Sequence, residues 1–148
     1  MQKNDVAYDF TLKDQDGNDR TLSQMLKEGP VVLFFYPAAM SPGCTKESCH
    51  FRDLEGEFES LGAQPVGISM DETDLQAQFA KKHSLDFPLL ADVDGEVARR
   101  YGVKRSLNLL KVKRATFIID TDMKVREVIS SEVSMNSHAD RALESLRA

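Results

Sequence analysis

Val31-Val32-Leu33-Phe34-Phe35-Tyr36-Pro37-Ala38-Ala39-Met40-Ser41-Pro42-Gly43-Cys44 is the stretch that decides the fold. Its first six residues are apolar without a break, the pattern of a strand covered on both faces. The strand delivers the chain to a helix start written in its own punctuation. Ser41 is a good N-cap, Pro42 suits the first helical position, and a run without breakers continues to Leu61-Gly62, so a helix is expected from Pro42 to Leu61. Cys44 then takes the third helical position. A capping box usually carries a carboxylate there, where free backbone N–H groups and the positive end of the macrodipole favour an anion. Helix N-termini in general lower a cysteine pKa from about 8.5 toward neutrality, and the thiolate is the nucleophile.

Working outward, Gln64-Pro65-Val66-Gly67-Ile68-Ser69 reads as a second central strand, and the strand–helix–strand order makes it parallel to the first. A helix over 72–83 capped by Asp71, a strand at Phe87-Pro88-Leu89-Leu90-Ala91 and a helix from Gly95 to Tyr101 follow. Strands Ala115–Asp120 and Lys124–Ser130 flank a Thr121-Asp122 turn, and a last helix runs from Ser137 to Arg147. Upstream, Asp9–Leu12 and Arg20–Leu22 around Asp14–Asn18 read as a β-hairpin, followed by a short helical piece over 23–27 and the Gly29-Pro30 break. The expected architecture is α/β: an N-terminal hairpin, then a central mixed sheet flanked by helices, in a single domain over 1–148. In open α/β sheets function gathers at the carboxyl ends of strands, and Cys44 lies at such a junction.

The 148 residues are 41% hydrophobic, enough for a core. With 19 basic and 24 acidic residues the net charge is -5, which argues against nucleic acid or an anionic membrane as partner and makes Lys104-Arg105 and Lys111–Arg114 local features. Met1–Phe10 has no apolar signal core and no stretch reaches membrane-span length, so a cytoplasmic protein is expected. In a reducing compartment two cysteines suit catalysis or metal binding better than a structural staple. His50, His83 and His138 form no recognised ligand spacing with Cys44 and Cys49, so neither metal nor cofactor is expected.

Phe51, Leu54, Phe58 and Leu61 define the buried stripe of the helix after Ser41, and Cys44 shares that face. Cys49 falls roughly opposite, at ~100° per residue. In an intact helix the two cysteine Cα atoms stand about 8–9 Å apart. A disulfide requires about 4.4–6.8 Å. Helix and disulfide therefore exclude each other, and oxidation of the pair requires the first turns to unwind.

Pro37, Ser41 and Cys44 spell Pro-x-x-x-Ser-x-x-Cys, which resembles the active-site signature of the peroxiredoxins, thiol peroxidases built on a thioredoxin fold. The longer run from Phe35-Tyr36-Pro37 through Pro42-Gly43-Cys44-Thr45-Lys46-Glu47 to Cys49 and Phe51-Arg52-Asp53 is similar to the bacterioferritin comigratory protein, or peroxiredoxin Q, branch. The similarity extends to Asp9–Leu12, Phe87–Asp92 and Arg114–Asp120. The resemblance implies a peroxidatic Cys44, a resolving Cys49, a hydroxyl partner in Ser41, an active-site Arg114 and a pocket shielded by Pro37. Backbone N–H groups near Gly43 and Cys44, the Ser41 hydroxyl and the Arg114 guanidinium would bind the peroxide and steady the charge developing on its leaving oxygen.

By the same resemblance a Cys44 sulfenic acid would condense with Cys49, and a thioredoxin-like dithiol would reduce the disulfide. The branch is often monomeric. Ser41 stands where threonine is commoner, Ala38-Ala39-Met40 is less polar than usual, and no cysteine over 72–83 offers the alternative resolving position. Glu47 reads equally as a site residue or an exposed helix carboxylate. Two other functions remain open: a thioredoxin-like disulfide reductase, which expects Cys-x-x-Cys, and a non-catalytic redox switch whose disulfide melts the helix.

Overall fold

A computed structural model describes residues 1–105, 112–131 and 134–148, so Lys111 of the basic run lies outside the described residues. The N-terminal hairpin forms as β1 (Thr11–Lys13) and β2 (Asp19–Thr21), paired antiparallel with Thr11 opposite Thr21. Its turn is built on buried Asp14, which accepts hydrogen bonds from the backbone N–H groups of Asp16 and Asn18 and from Arg20 Nε. There follow α1 (Leu22–Met25), β3 (Val31–Phe35), α2 (Pro42–Asp53), α3 (Glu55–Ser60), β4 (Gln64–Ser69), α4 (Thr73–His83), β5 (Leu89–Ala91), α5 (Glu96–Arg100), β6 (Ala115–Ile119), β7 (Val125–Ser130) and α6 (Asn136–Arg147).

The main sheet has the order β5-β4-β3-β6-β7. β3 runs parallel to β4 and antiparallel to β6, with Phe35 opposite Ile68 on one side and Ala115 on the other. The sheet is therefore mixed, and β3 is its centre. All five β3 residues are buried, as the uninterrupted apolar run predicts. Leu33 and Phe35 face a core shared with Leu22, Tyr101 and Phe117, whereas Val32, Phe34 and Tyr36 face one shared with Phe51, Phe58, Phe79 and Ala142. Phe34 stacks on Phe51 with ring centroids 4.2 Å apart, which fixes α2 over β3. Full burial of such a side chain contributes about 1.5–3 kcal/mol. Gly67 of β4 makes room for these rings: a Cβ there would stand 3.0 Å from Phe34 Cζ and 3.1 Å from Tyr36 Cε1.

Two expectations are corrected. The helix from Pro42 does not reach Leu61 unbroken; at Leu54 (φ −101°, ψ 10°) the N–H is shared between His50 O and Phe51 O, a tight last turn, and α3 starts afresh. Asp71 does not cap α4, whose N-cap position is Glu72 without a side-chain bond. The Asp71 carboxylate turns instead to Ala39 N–H and Ser69 O–H, accepting from each at 2.7 Å. It thereby ties the loop before α2 to the end of β4. The Phe87–Pro88 bond is trans.

Candidate active site

The register of the sheet assembles the site. Because Phe35 pairs with Ala115 in an antiparallel ladder, Arg114 at the entrance of β6 lies beside the carboxyl end of β3, where the loop to α2 departs. β7 continues the pattern by placing Ser130 opposite Ala115, so Ser131 comes to the same end of the sheet. Residues far apart in sequence thus converge on the first turns of α2.

The turn itself is tightly made. Met40 adopts a left-handed conformation (φ 70°), uncommon for a residue with a side chain. Ser41 caps α2 by accepting the Cys44 N–H at 3.4 Å, while its own hydroxyl donates to Ala38 O at 2.9 Å. The capping expected of Ser41 is present, and its proton is engaged with the backbone. Pro37 is buried at the head of the loop. Tyr36 donates to Gln76 Oε1, and Gln76 Nε2 donates to Ser69 Oγ and Leu90 O, so a buried polar chain runs from β3 to the Asp71 contact. Burial raises the Tyr36 pKa far above its ordinary value, which keeps that hydroxyl a donor.

Cys44 is fully buried, on the stripe of α2 that also buries Glu47, Ser48 and Phe51. Arg114 Nη2 lies 3.3 Å from Cys44 Sγ, and Arg114 Nη1 donates to Glu47 Oε1 at 2.8 Å. One guanidinium thus spans the sulfur and a carboxylate, which a lysine ammonium could not do with the same planarity. Burial opposes the Arg114 charge, but the Glu47 carboxylate and the Cys44 sulfur outweigh it and raise its pKa. Gly43 leaves space for this approach: a Cβ would sit 3.2 Å from Arg114 Nη2 and 3.4 Å from Met135 Sδ.

Behind Glu47 lies His138 of α6, also fully buried. Its Nδ1 is 3.5 Å from Glu47 Oε2 and 2.8 Å from Thr116 Oγ1, and its Nε2 is 2.8 Å from Ser131 O. In the sequence His138 stands only as a candidate metal ligand. The signal that it is internal is the stripe His138, Ala139, Ala142, Leu143, one face of α6. Glu47 was detectable as the residue one turn after Cys44 on the same face.

Cys49 is half-buried and both cysteines are free thiols within the intact α2. Among the described residues no helix is long and apolar enough to cross a membrane.

A thioredoxin-like sheet with a cysteine at a capped helix start, facing an arginine, defines the class of thiol-based oxidoreductases. The family model for AhpC/TSA matches residues 4–128. A peroxiredoxin of Mycobacterium tuberculosis is 59% identical over 150 residues, covering 100% of this chain and 97% of that protein. The chloroplastic peroxiredoxin Q of Sedum lineare is 40% identical over 148 residues, covering 100% and 79%. The crystal structure of peroxidoxin BcpB from Mycobacterium tuberculosis superposes with a TM-score of 0.96 at 58% identity, covering 99% of this chain and 97% of that one. Peroxiredoxin Q from Xanthomonas campestris gives 0.86 at 30%, covering 93% and 89%. The chain belongs to the AhpC/TSA family, in its peroxiredoxin Q branch, and is a thiol peroxidase.

Proposed function

We propose that Cys44 is the peroxide-reducing sulfur and Cys49 its resolving partner, in a cycle closed by a thioredoxin-like dithiol. The observation that carries the reading is the 3.3 Å approach of Arg114 Nη2 to Cys44 Sγ at the start of a helix that also holds the second free thiol. In the first step the Cys44 thiolate attacks one peroxide oxygen; an S–O bond forms, the O–O bond breaks, and the leaving oxygen departs as water or alcohol after taking a proton. The sulfur is oxidised to sulfenic acid. Arg114 and the N–H groups of Gly43 and Cys44 stabilise the charge on the departing oxygen, and Pro37 shields the sulfur. For Ser41 to take part, its hydroxyl exchanges Ala38 O for the peroxide.

In the second step Cys49 thiolate attacks the Cys44 sulfenic sulfur, forming the disulfide and releasing water. Two turns of α2 must open for the sulfurs to meet. A thioredoxin-like dithiol then reduces the disulfide through a mixed disulfide. Two free thiols and bacterial relatives suit a reducing cytoplasm. The test mixes catalytic protein with hydrogen peroxide and a thioredoxin system and follows peroxide loss. Many turnovers are expected from the wild type, none from Cys44→Ser, and a single unrecycled oxidation from Cys49→Ser. Normal cycling of Cys49→Ser would defeat the resolving assignment, and consumption of one equivalent by the wild type would indicate a switch.

A further inference from the structure

Four buried groups stand in series from the sulfur inward: Cys44 Sγ, Arg114, Glu47 and His138. We propose that His138 is a positioning residue for the peroxide step, and that it acts through the Nδ1 side of its ring. Since a carbonyl oxygen only accepts, the 2.8 Å contact with Ser131 O places a hydrogen on Nε2; in the proposed arrangement the ring is an imidazolium with its second hydrogen on Nδ1, because a bare Nδ1 would be a second acceptor facing the Glu47 carboxylate. That bond fixes the ring plane and turns Nδ1 to Thr116 Oγ1 at 2.8 Å and Glu47 Oε2 at 3.5 Å. Thr116 is itself fixed on β6, opposite Phe34 in the central ladder. Glu47 is therefore held between a guanidinium on one oxygen and the His138 edge on the other.

This matters because Glu47 sits on α2, whereas Arg114 precedes β6. In the proposal the carboxylate sets which way the guanidinium faces: Nη1 is on Glu47 and Nη2 on the sulfur. A carboxylate that rotates away from His138 takes Nη1 with it and swings Nη2 off Cys44. Active-site donors act through fixed placement, and small misplacements cost rate steeply. His138 meets the site through Glu47, and Glu47 meets the sulfur through Arg114, so the proposed effect passes along that series. The inference rests on Cys44 being the peroxide-reactive sulfur.

Two substitutions separate the edges of the ring. His138→Asn keeps a polar group where Nδ1 stands and gives up the Ser131 anchor; His138→Gln keeps a donor where Nε2 stands and gives up the Nδ1 side. Reduced full-length protein is mixed with hydrogen peroxide and quenched with a sulfenic-acid trapping reagent, and labelling of Cys44 is timed alongside the melting temperature. His138→Gln is expected to slow Cys44 oxidation about tenfold, with His138→Asn restoring the rate to within about threefold of wild type, the scale of one buried hydrogen bond. Disulfide formation after oxidation should be unchanged in both.

Wild-type rates in both variants overturn the proposal. So do equal losses that follow the melting temperatures, or a loss confined to His138→Asn. Failure of wild-type Cys44 to label would instead remove the peroxide reading itself, and the role of His138 with it. If neither variant folds, Thr116→Val decides: it keeps the shape of residue 116 and removes the hydroxyl on Nδ1. About threefold slower oxidation supports the role, and an unchanged rate overturns it.

Discussion

The proposed cycle opens α2, and Ser48 favours that opening. It lies one turn beyond Cys44, fully buried, and its hydroxyl has no hydrogen-bond partner among the described residues. An unsatisfied buried hydroxyl costs about 1–3 kcal/mol, a cost removed when the turn unwinds and water reaches it. Serine is also about 0.5 kcal/mol poorer than alanine in a helix interior. Replacing Ser48 by Ala should therefore favour the closed helix over the opened one by about 1.5–2.5 kcal/mol, after allowing for the small void left behind. At 1.4 kcal/mol per factor of ten, the opened population falls about 10- to 60-fold. If opening precedes resolution, Ser48→Ala forms the Cys44–Cys49 disulfide slower by the same factor, while the first oxidation of Cys44 is unchanged. The measurement is rapid quench after one equivalent of peroxide, with sulfenic acid and disulfide counted by intact mass. A titration with excess peroxide should show Cys44 sulfinic acid at lower doses than in wild type. The reasoning fails if the melting temperature rises and the disulfide still forms at the wild-type rate, or if the substitution destabilises the protein.

Arg114→Lys should slow Cys44 oxidation about 10- to 100-fold, because an ammonium cannot hold Glu47 and the sulfur in one plane; stopped-flow oxidation by hydrogen peroxide measures it, and a loss below threefold would contradict the geometry. Gly43→Ala puts a Cβ 3.2 Å from Arg114 Nη2 and should slow the same step about 3- to 10-fold with little change in melting temperature. For Asp14, burial works against the charge, and the Arg20 hydrogen bond with the Asn18 and Asp16 N–H groups outweighs it, holding the carboxyl below its ordinary 3.8. A carboxyl depressed in the folded state gives stability that is present above pH 3.8 and lost as pH falls toward the folded value. Thermal melts from pH 5 downward should therefore lose stability more steeply in wild type than in Asp14→Asn, which lacks this proton uptake.

How much of this was legible in the sequence depended on distance along the chain. The strand at 31–36, the Ser41 cap and the position of Cys44 at the third helical residue all follow from neighbours within a few residues, where capping and burial leave compositional traces. The break at Leu54 left none, because the apolar spacing continues through it into Phe58. Asp71 was assigned the local job its position suggests, and the better partner proved to be Ala39 N–H, on another loop. Arg114 came from the resemblance, and it is the register of β3 with β6 that gives it a physical reason. Glu47 and His138 were hardest. A charged residue on an otherwise mixed helix reads as solvated until the other side of the pair is known, and here that other side is Arg114, 67 residues along the chain, and His138 on the last helix.

In the proposed cycle the peroxide step and the rescue step make opposite demands on α2. Attack needs the helix closed, with its cap, the Arg114–Glu47 pair and Cys44 in place. Rescue needs the same turns open. The packing limits how far such an opening can spread: Phe51 is stacked on Phe34, and Arg52 Nη1 donates to His83 O at 2.7 Å, so the second half of α2 is bound to β3 and α4. The first half carries polar contacts, the Ser41 cap and the Arg114–Glu47 pair, and both meet at Cys44. In the proposed cycle oxidation changes the sulfur that Arg114 faces, at the point where both contacts meet, and an opening of the first turns runs toward Phe51, where the stacking on Phe34 holds the helix.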